Sequence, residues 1–325
     1  MMTRVPAASV VIPVLDSREK LTRCLEALRC QKTTLAYEVI VVNDGSTEDL
    51  SAVRSAMGSR LPLVWLDLPG NSGPAVARNA GIEAARGDII LFTDADCRPE
   101  PDWLDQMVQP FRDPRVTGAK GVYLTDQRDA WARLAQTEFE ERYELLNTCQ
   151  DIDFVDTYSG AYRRGDLVAV KGFDTAFPRA DNEDVDLAFR IKKRRGRFAF
   201  VPEAKVWHHH REGMWPYIKL KFWRGYWRMQ VYRRHPEKAG RESYTPLTLK
   251  AQLLLLVVFP VTLFLTTRCR RWFYAWMVGW FTSCLPLMRR ASSAGLGLTS
   301  RVPVFAAARG LALLAGMLWG MVRKA

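Results

Sequence analysis

The chain has 325 residues, and histidine is scarce in it, with four residues in all and three of them consecutive, His208 to His210. The six cysteines form no C-x-x-C pair and no finger-like spacing, which excludes a cysteine-built zinc module and a thioredoxin-type motif. They read as free thiols in a reducing compartment. No apolar leader core stands between Met1 and Ala8, so a secretory signal is not expected there. Neither a P-loop nor a dinucleotide fingerprint occurs; Gly70 to Asn79 is glycine-bearing but lacks both spacings.

Acidic residues run out towards the end of the chain. From Val206 onward only Glu212, Glu237 and Glu242 are acidic, against 19 Lys and Arg, so this part carries the whole basic excess behind the net charge of +12. Basic character suits nucleic acid or an anionic membrane. Here the cations flank long apolar runs and alternate with Trp and Tyr, which favours the membrane and sets nucleic acid aside.

The first half alternates short apolar runs with helical patterns, as βαβ units do. Ser9 to Val14, Glu38 to Val42, Leu63 to Leu66 and Asp88 to Thr93 read as buried strands, implying a parallel sheet covered by helices. Asp16 to Glu19 reads as a capping box. A long polar helix is expected around Ala130 to Asn147, and another over Val185 to Lys193. Met214 to His235, rich in Trp, Tyr, Lys and Arg, suits one or two amphipathic helices in a headgroup region. Three apolar stretches follow, Ala251 to Thr267, Trp272 to Met288 and Val302 to Val322; the first two, at about 17 residues, are at the short end for spanning. Pro260 interrupts the first and Arg309 the third. Arg268, Arg270 and Arg271 would lie outside if the first helix spans, against the positive-inside tendency, and a re-entrant or interfacial hairpin would remove that conflict.

Five groups of residues carry chemistry. Asp94-Ala-Asp96 follows a predicted strand directly, and two carboxylates on one sheet edge repel unless a hard cation such as Mg²⁺ or Mn²⁺ sits between them. Asp44, beside Gly45 at another strand end, can accept from a nucleobase or ribose, or simply shape the turn. Arg78, one turn into a helix, can reach a base carbonyl or phosphate, or stay on the surface. Glu183-Asp184-Val-Asp186 opens a helix whose dipole favours acids, and a carboxylate there can serve as general base. Asp186 and Arg190 are spaced to pair. Of the histidines, alternation puts His208 and His210 on one side, and one imidazole can complete a carboxylate metal shell.

Taken in order, Ser9 to Val14, Val-Val-Asn-Asp-Gly-Ser-Thr47, Gly73 through Ala-Arg-Asn79-Ala-Gly81, Asp94-Ala-Asp96, and Gly172-Phe-Asp174 leading to Glu183-Asp-Val-Asp-Leu-Ala-Phe-Arg190 resemble the inverting family 2 glycosyltransferases. The resemblance covers roughly Ser9 to His210, and the segment from Phe222 to Pro236 is similar to exopolysaccharide-type members with C-terminal membrane helices. It implies an α/β fold: a GT-A nucleotide-sugar-binding domain, a Rossmann-like mixed sheet flanked by helices, over 1–210. An aromatic and basic interface segment would occupy 211–248 and membrane helices 249–325.

By the same resemblance Asp44 and Arg78 would hold the nucleobase, with Pro13 and Val14 lining its slot. Asp94 would contact the ribose, Asp96 the metal, Mg²⁺ or Mn²⁺, with His208 assisting. Asp184 would be the base and Glu183 would orient the acceptor. The donor would be a UDP-, GDP- or dTDP-sugar and the acceptor a polyprenyl-linked glycan or other lipid. The enzyme would sit on the inner cell membrane with its catalytic domain in the cytoplasm. A processive polysaccharide synthase and a non-catalytic nucleotide-binding scaffold are the alternatives. The Q-x-x-R-W motif of processive members is missing, since Gln230 is followed by Val231-Tyr-Arg-Arg234.

Overall fold

The computed structural model describes residues 5–178, 181–194, 196–266, 270–293 and 295–323. The chain divides into two compact units, one of residues 1–126 and 149–209, the other of residues 127–148 and 210–325. The second unit thus begins earlier than a boundary at 210, because it takes in the helix Ala130–Asn147.

The first unit is built on an eight-stranded sheet. Its strands are β1 (Ala8–Val14), β2 (Tyr37–Asn43), β3 (Leu63–Asp67), β4 (Ile89–Phe92), β5 (Cys97–Pro99), β6 (Val116–Leu124), β7 (Gly160–Arg163) and β8 (Arg197–His208). They lie in the order β3-β2-β1-β4-β7-β6-β8-β5. The first four are mutually parallel, β7 runs antiparallel to both its neighbours, and β5 is antiparallel to β8. The sheet is therefore mixed, and the parallel half is the part that the alternating pattern reveals. Val10, Val11 and Ile12 of central β1 are fully buried, each contributing about 1.5–3 kcal/mol of apolar burial. Pro13 falls in the same strand past Val11, the last residue paired with β4, so its missing N–H forfeits no bond to that neighbour.

The helices of this unit are α1 (Arg18–Arg29), α2 (Ser51–Gly58), α3 (Pro74–Ala84), α4 (Trp103–Val108), α6 (Arg164–Ala169) and α7 (Glu183–Lys193). Ahead of α1 the expected capping box does not form: Ser17 is the N-cap and makes no side-chain cap bond. Asp16 instead turns to the loop after β2, accepting from the backbone of Thr47 and Glu48. That loop holds three donors with no helical partner, a stronger demand on one carboxylate than a single helix end makes.

The second unit is helical: α5 (Ala130–Asn147), α8 (Met214–Arg234), α9 (Leu247–Thr266), α10 (Arg271–Ser292), α11 (Leu296–Thr299) and α12 (Val302–Val322). Two stretches, Leu247–Thr266 and Leu296–Val322, are long and apolar enough to cross a membrane. The aromatic and basic segment is one helix, α8, and it is largely covered: Tyr217, Tyr226 and Trp227 are buried. One buried carboxylate, Glu138 of α5, organises the polar interior. It accepts from Tyr217 Oη at 2.7 Å and Lys221 Nζ at 2.7 Å, pairs with Arg142, and lies 3.9 Å from Arg309. Arg309 in turn donates to Gln252 of α9 at 2.6 Å.

Candidate functional site

The site lies at the carboxyl ends of the parallel strands, where open α/β sheets bind ligands. After β2 the chain turns at Asp44-Gly45. Gly45 has φ +73°, and a Cβ there would stand 2.4 Å from the Gly70 carbonyl carbon, so only glycine lets the two turns approach. This closeness gives Asp44 its partners: its two carboxylate oxygens accept from the backbone N–H of Ser72 at 2.8 Å and Gly73 at 2.9 Å. Asp44 therefore clasps the glycine turn that feeds α3. Pro13 and Val14 end β1 beside it, with the Val14 carbonyl accepting from Asp44 N–H.

Arg78, on the first turns of α3, is buried. Its guanidinium donates to Asp94 Oδ1 at 2.9 Å and to Glu183 Oε1 at 2.7 Å. One side chain thus spans the loop after β4 and the first residue of α7. Burial, and after it the neighbouring Asp184, push the Glu183 carboxyl up to about 8, with Arg78 pulling it only part of the way back. Glu183 Oε2 is buried and finds no hydrogen-bond partner among the described residues. Asp184, in the first turn of α7, is less enclosed and accepts from Val185 N–H at 2.8 Å. Asp186 pairs with Arg190 at 2.7 Å, the structural use that their spacing suggests.

Asp94 and Asp96 are each about one-third exposed, and with Cys97 their ligand atoms lie within 4.8 Å of one another. His208, at the end of β8, brings Nε2 to 3.6 Å from Asp96 Oδ2 because β5 pairs Cys97 directly with His208. Burial holds the His208 imidazole below its ordinary value, against the pull of Asp96 and Asp94, so the ring stays neutral as a metal ligand must. Cys97 is fully buried, and burial, with Asp94 and Asp96 beside it, pushes its thiol well above the ordinary value. Two carboxylates and a neutral imidazole fit a hard divalent cation.

The other histidines go elsewhere. His209 faces Asp126 at 3.5 Å, and His210, in the second unit, bonds Gln136 at 2.9 Å. Alternation along β8 thus does not carry His210 to the carboxylates. Two neighbours of the site escaped the sequence. Lys20 of α1 reaches within 4.0 Å of Asp96, and Tyr123 at the end of β6 stacks on His208 with centroids 4.4 Å apart. A lysine on a helix face and a tyrosine in a strand carry no signal of such placement.

Comparison with known proteins agrees with this architecture. The family model described as "Glycosyl transferase family 2" matches residues 9–169. A pre-mycofactocin glycosyltransferase of Mycobacterium tuberculosis is 29% identical over 238 residues, covering 71% of this chain and 49% of that protein. The match thus spans about half the length of that relative. A glucosyl-dolichyl phosphate glucuronosyltransferase of Haloferax volcanii is 24% identical over 265 residues, covering 75% of this chain and 82% of that protein. Among solved structures, the mannosyltransferase PcManGT from Pyrobaculum calidifontis, in complex with GDP-Man and Mn²⁺, superposes with a TM-score of 0.63 at 19% identity, covering 99% of this chain and 89% of that one. The mixed sheet is the GT-A fold. With its motifs in order at the carboxyl ends of that sheet, the chain carries a glycosyltransferase family 2 domain over residues 9–169.

Proposed function

We propose that the protein transfers a sugar, with inversion, from a nucleotide-sugar donor to a lipid-linked acceptor at the cytoplasmic face of the cell membrane. The observation that carries this reading is the bridge made by Arg78. It holds Asp94, of the donor-side carboxylates, and Glu183, at the start of α7, on one guanidinium. Donor and acceptor groups are thereby fixed within one rigid frame, as direct displacement requires.

In this reading Pro13, Val14 and the turn that Asp44 clasps line the nucleoside end of the donor. Asp94 faces the ribose. Asp96 and His208 would hold Mg²⁺ or Mn²⁺, which when bound neutralises charge on the departing nucleoside diphosphate. Asp184 takes the proton from the acceptor hydroxyl as its oxygen bonds to the anomeric carbon and the bond to the diphosphate breaks. Glu183 is held by Arg78 behind it and orients the acceptor side. A single displacement needs no covalent enzyme intermediate and inverts the anomeric centre. The lipid acceptor is supported by the apolar α9, and by the named substrate of the Haloferax relative.

The test is nucleoside diphosphate release from UDP-, GDP- and dTDP-sugars with Mn²⁺ or Mg²⁺ and membrane-lipid extract. Release with one donor, dependent on lipid and lost in Asp184→Asn, supports the reading. Release that survives Asp184→Asn removes Asp184 from its role.

A further inference from the structure

The apolar helices of the second unit are not equivalent. α9 and α10 form an antiparallel hairpin: Gln252 bonds the Ser283 carbonyl at 3.0 Å, Trp276 bonds the Leu255 carbonyl at 2.8 Å, and Phe259 packs on Trp276. No charged residue stands between Lys250 and Arg268, or between Arg271 and Arg289. The hairpin is sheathed in exposed apolar side chains, among them Leu254, Val257, Val261, Phe264, Val278 and Phe281. Lys250 and Arg289 stand at its base, placed for headgroup phosphates, while Arg290 beside them pairs with Glu144 of α5.

α12 has a different neighbour. It runs parallel to α8 along nearly its whole length. Phe305 packs on Tyr217 with centroids 4.8 Å apart. A Cβ on Gly316 would stand 1.9 Å from the Phe222 carbonyl oxygen, and one on Gly320 2.7 Å from that of Tyr226. At the far end Gln230 donates to the carbonyls of Gly320 at 3.2 Å and Arg323 at 3.1 Å, and Arg233 donates to that of Met321. α8 carries Lys219, Lys221, Arg224, Arg228, Arg233 and Arg234, of which Lys221 and Arg228 pair inside the unit with Glu138 and Glu242, and it is not among the described stretches apolar enough to span. Such a helix does not lie across hydrocarbon, and a helix joined to it from end to end shares its orientation. Arg309, fully buried against Gln252 and Glu138, ties the first half of α12 to the same polar layer.

We propose that α12, although long and apolar enough to span, lies along α8 at the bilayer surface, so that only the α9–α10 hairpin enters the hydrocarbon. The hairpin enters and returns, and the end of α12 stays on the face that carries α8. This rests on the membrane attachment proposed above and goes beyond it by fixing which helices meet lipid.

The test uses the full chain in sealed membrane vesicles, with one epitope inserted after Gly240, in the turn following α8, and another placed after Arg323. Added protease is expected to reach both epitopes or neither. Val257→Arg, on the exposed face of the hairpin, is expected to lower the carbonate-resistant membrane fraction by about tenfold or more. Leu311→Arg, equally exposed on α12, is expected to change it less than twofold. Epitopes on opposite faces, or Leu311→Arg as damaging as Val257→Arg, overturns the inference while leaving attachment intact. Wild-type chain washed off by carbonate overturns attachment and the inference together.

Discussion

Arg78 donates a hydrogen bond to Glu183 at 2.7 Å between side chains that are each 3% exposed, although 105 residues separate them in the chain. The pair is shared with Asp94, so it joins the loop after β4 to α7. Lysine at position 78 would offer a point charge in place of the two-pronged guanidinium and serve one partner at a time. Arg78→Lys is expected to reduce nucleoside diphosphate release by about 10- to 100-fold, the worth of one buried charged hydrogen bond. Release at the wild-type rate would remove the bridge from the working site.

The same pair sets a pH dependence. Glu183 has its carboxyl raised from 4.5 to about 8 by burial and by Asp184. A carboxyl raised in the folded state favours folding while protonated. Its contribution is full below about pH 4.5 and is lost as pH rises through about 8. Glutamine mimics the protonated form at every pH, so Glu183→Gln is expected to gain stability relative to wild type between pH 5 and pH 9. Thermal unfolding of both proteins across that range decides it, and parallel profiles would show that Glu183 does not titrate there.

Metal affinity is expected to follow the two ligands unequally. In the proposed site Asp96 would supply a carboxylate oxygen and His208 an imidazole nitrogen 3.6 Å from it. Asp96→Asn is expected to weaken Mn²⁺ binding in the presence of nucleoside diphosphate by about 100-fold, and His208→Ala by about tenfold. Free Mn²⁺ measured by electron paramagnetic resonance reports both. Equal binding by all three proteins would place the cation elsewhere.

Much of this was legible because it is local. β1, β2 and β4 are continuous apolar runs that end in Asn, Asp, Gly or Thr, and α3, α5 and α7 keep helical spacing between turn residues. What stayed hidden depends on contacts far apart in sequence. Glu138 and Arg142 have the spacing of a solvated helix pair, yet both are buried, because Lys221 and Arg309 meet them from other helices. The same contacts draw α5 into the second unit. Arg78 likewise reads as a base or phosphate contact, or a surface cation, and its bridge to Glu183 shows only once α7 is folded over it. No local pattern separates α12 from α9 either, since their difference lies in the helix each one packs against.

The contact between α8 and α12 leaves no room for a side chain at Gly316, where the nearest obstacle is backbone rather than a movable side chain. Gly316→Ala is expected to destabilise the helical unit by about 1–3 kcal/mol, as overpacking does, despite the better helix propensity of alanine. Alanine at Gly297, which has nothing within 4 Å, is the control and should be neutral or slightly stabilising. Thermal unfolding in detergent separates the two.

Glu138 is expected to be the most sensitive position of the second unit. Burial works to raise its carboxyl, but Lys221, Arg142 and Arg309 together hold it well below the usual carboxylate range. Three cations depend on one anion, so removing it leaves buried charge without its partner. The cost of breaking such a pair is about 3–5 kcal/mol, comparable to the whole stability of a modest domain. Glu138→Ala is therefore expected to unfold or aggregate in detergent at temperatures where wild type remains monodisperse. Glu138→Gln keeps the shape and two hydrogen-bonding atoms but not the charge, and should fall between them. If Gln matched wild type, the cluster would be held by hydrogen bonding and packing, and its charge would be dispensable. If Gln matched Ala, the anion itself would be what keeps Lys221, Arg142 and Arg309 inside the unit.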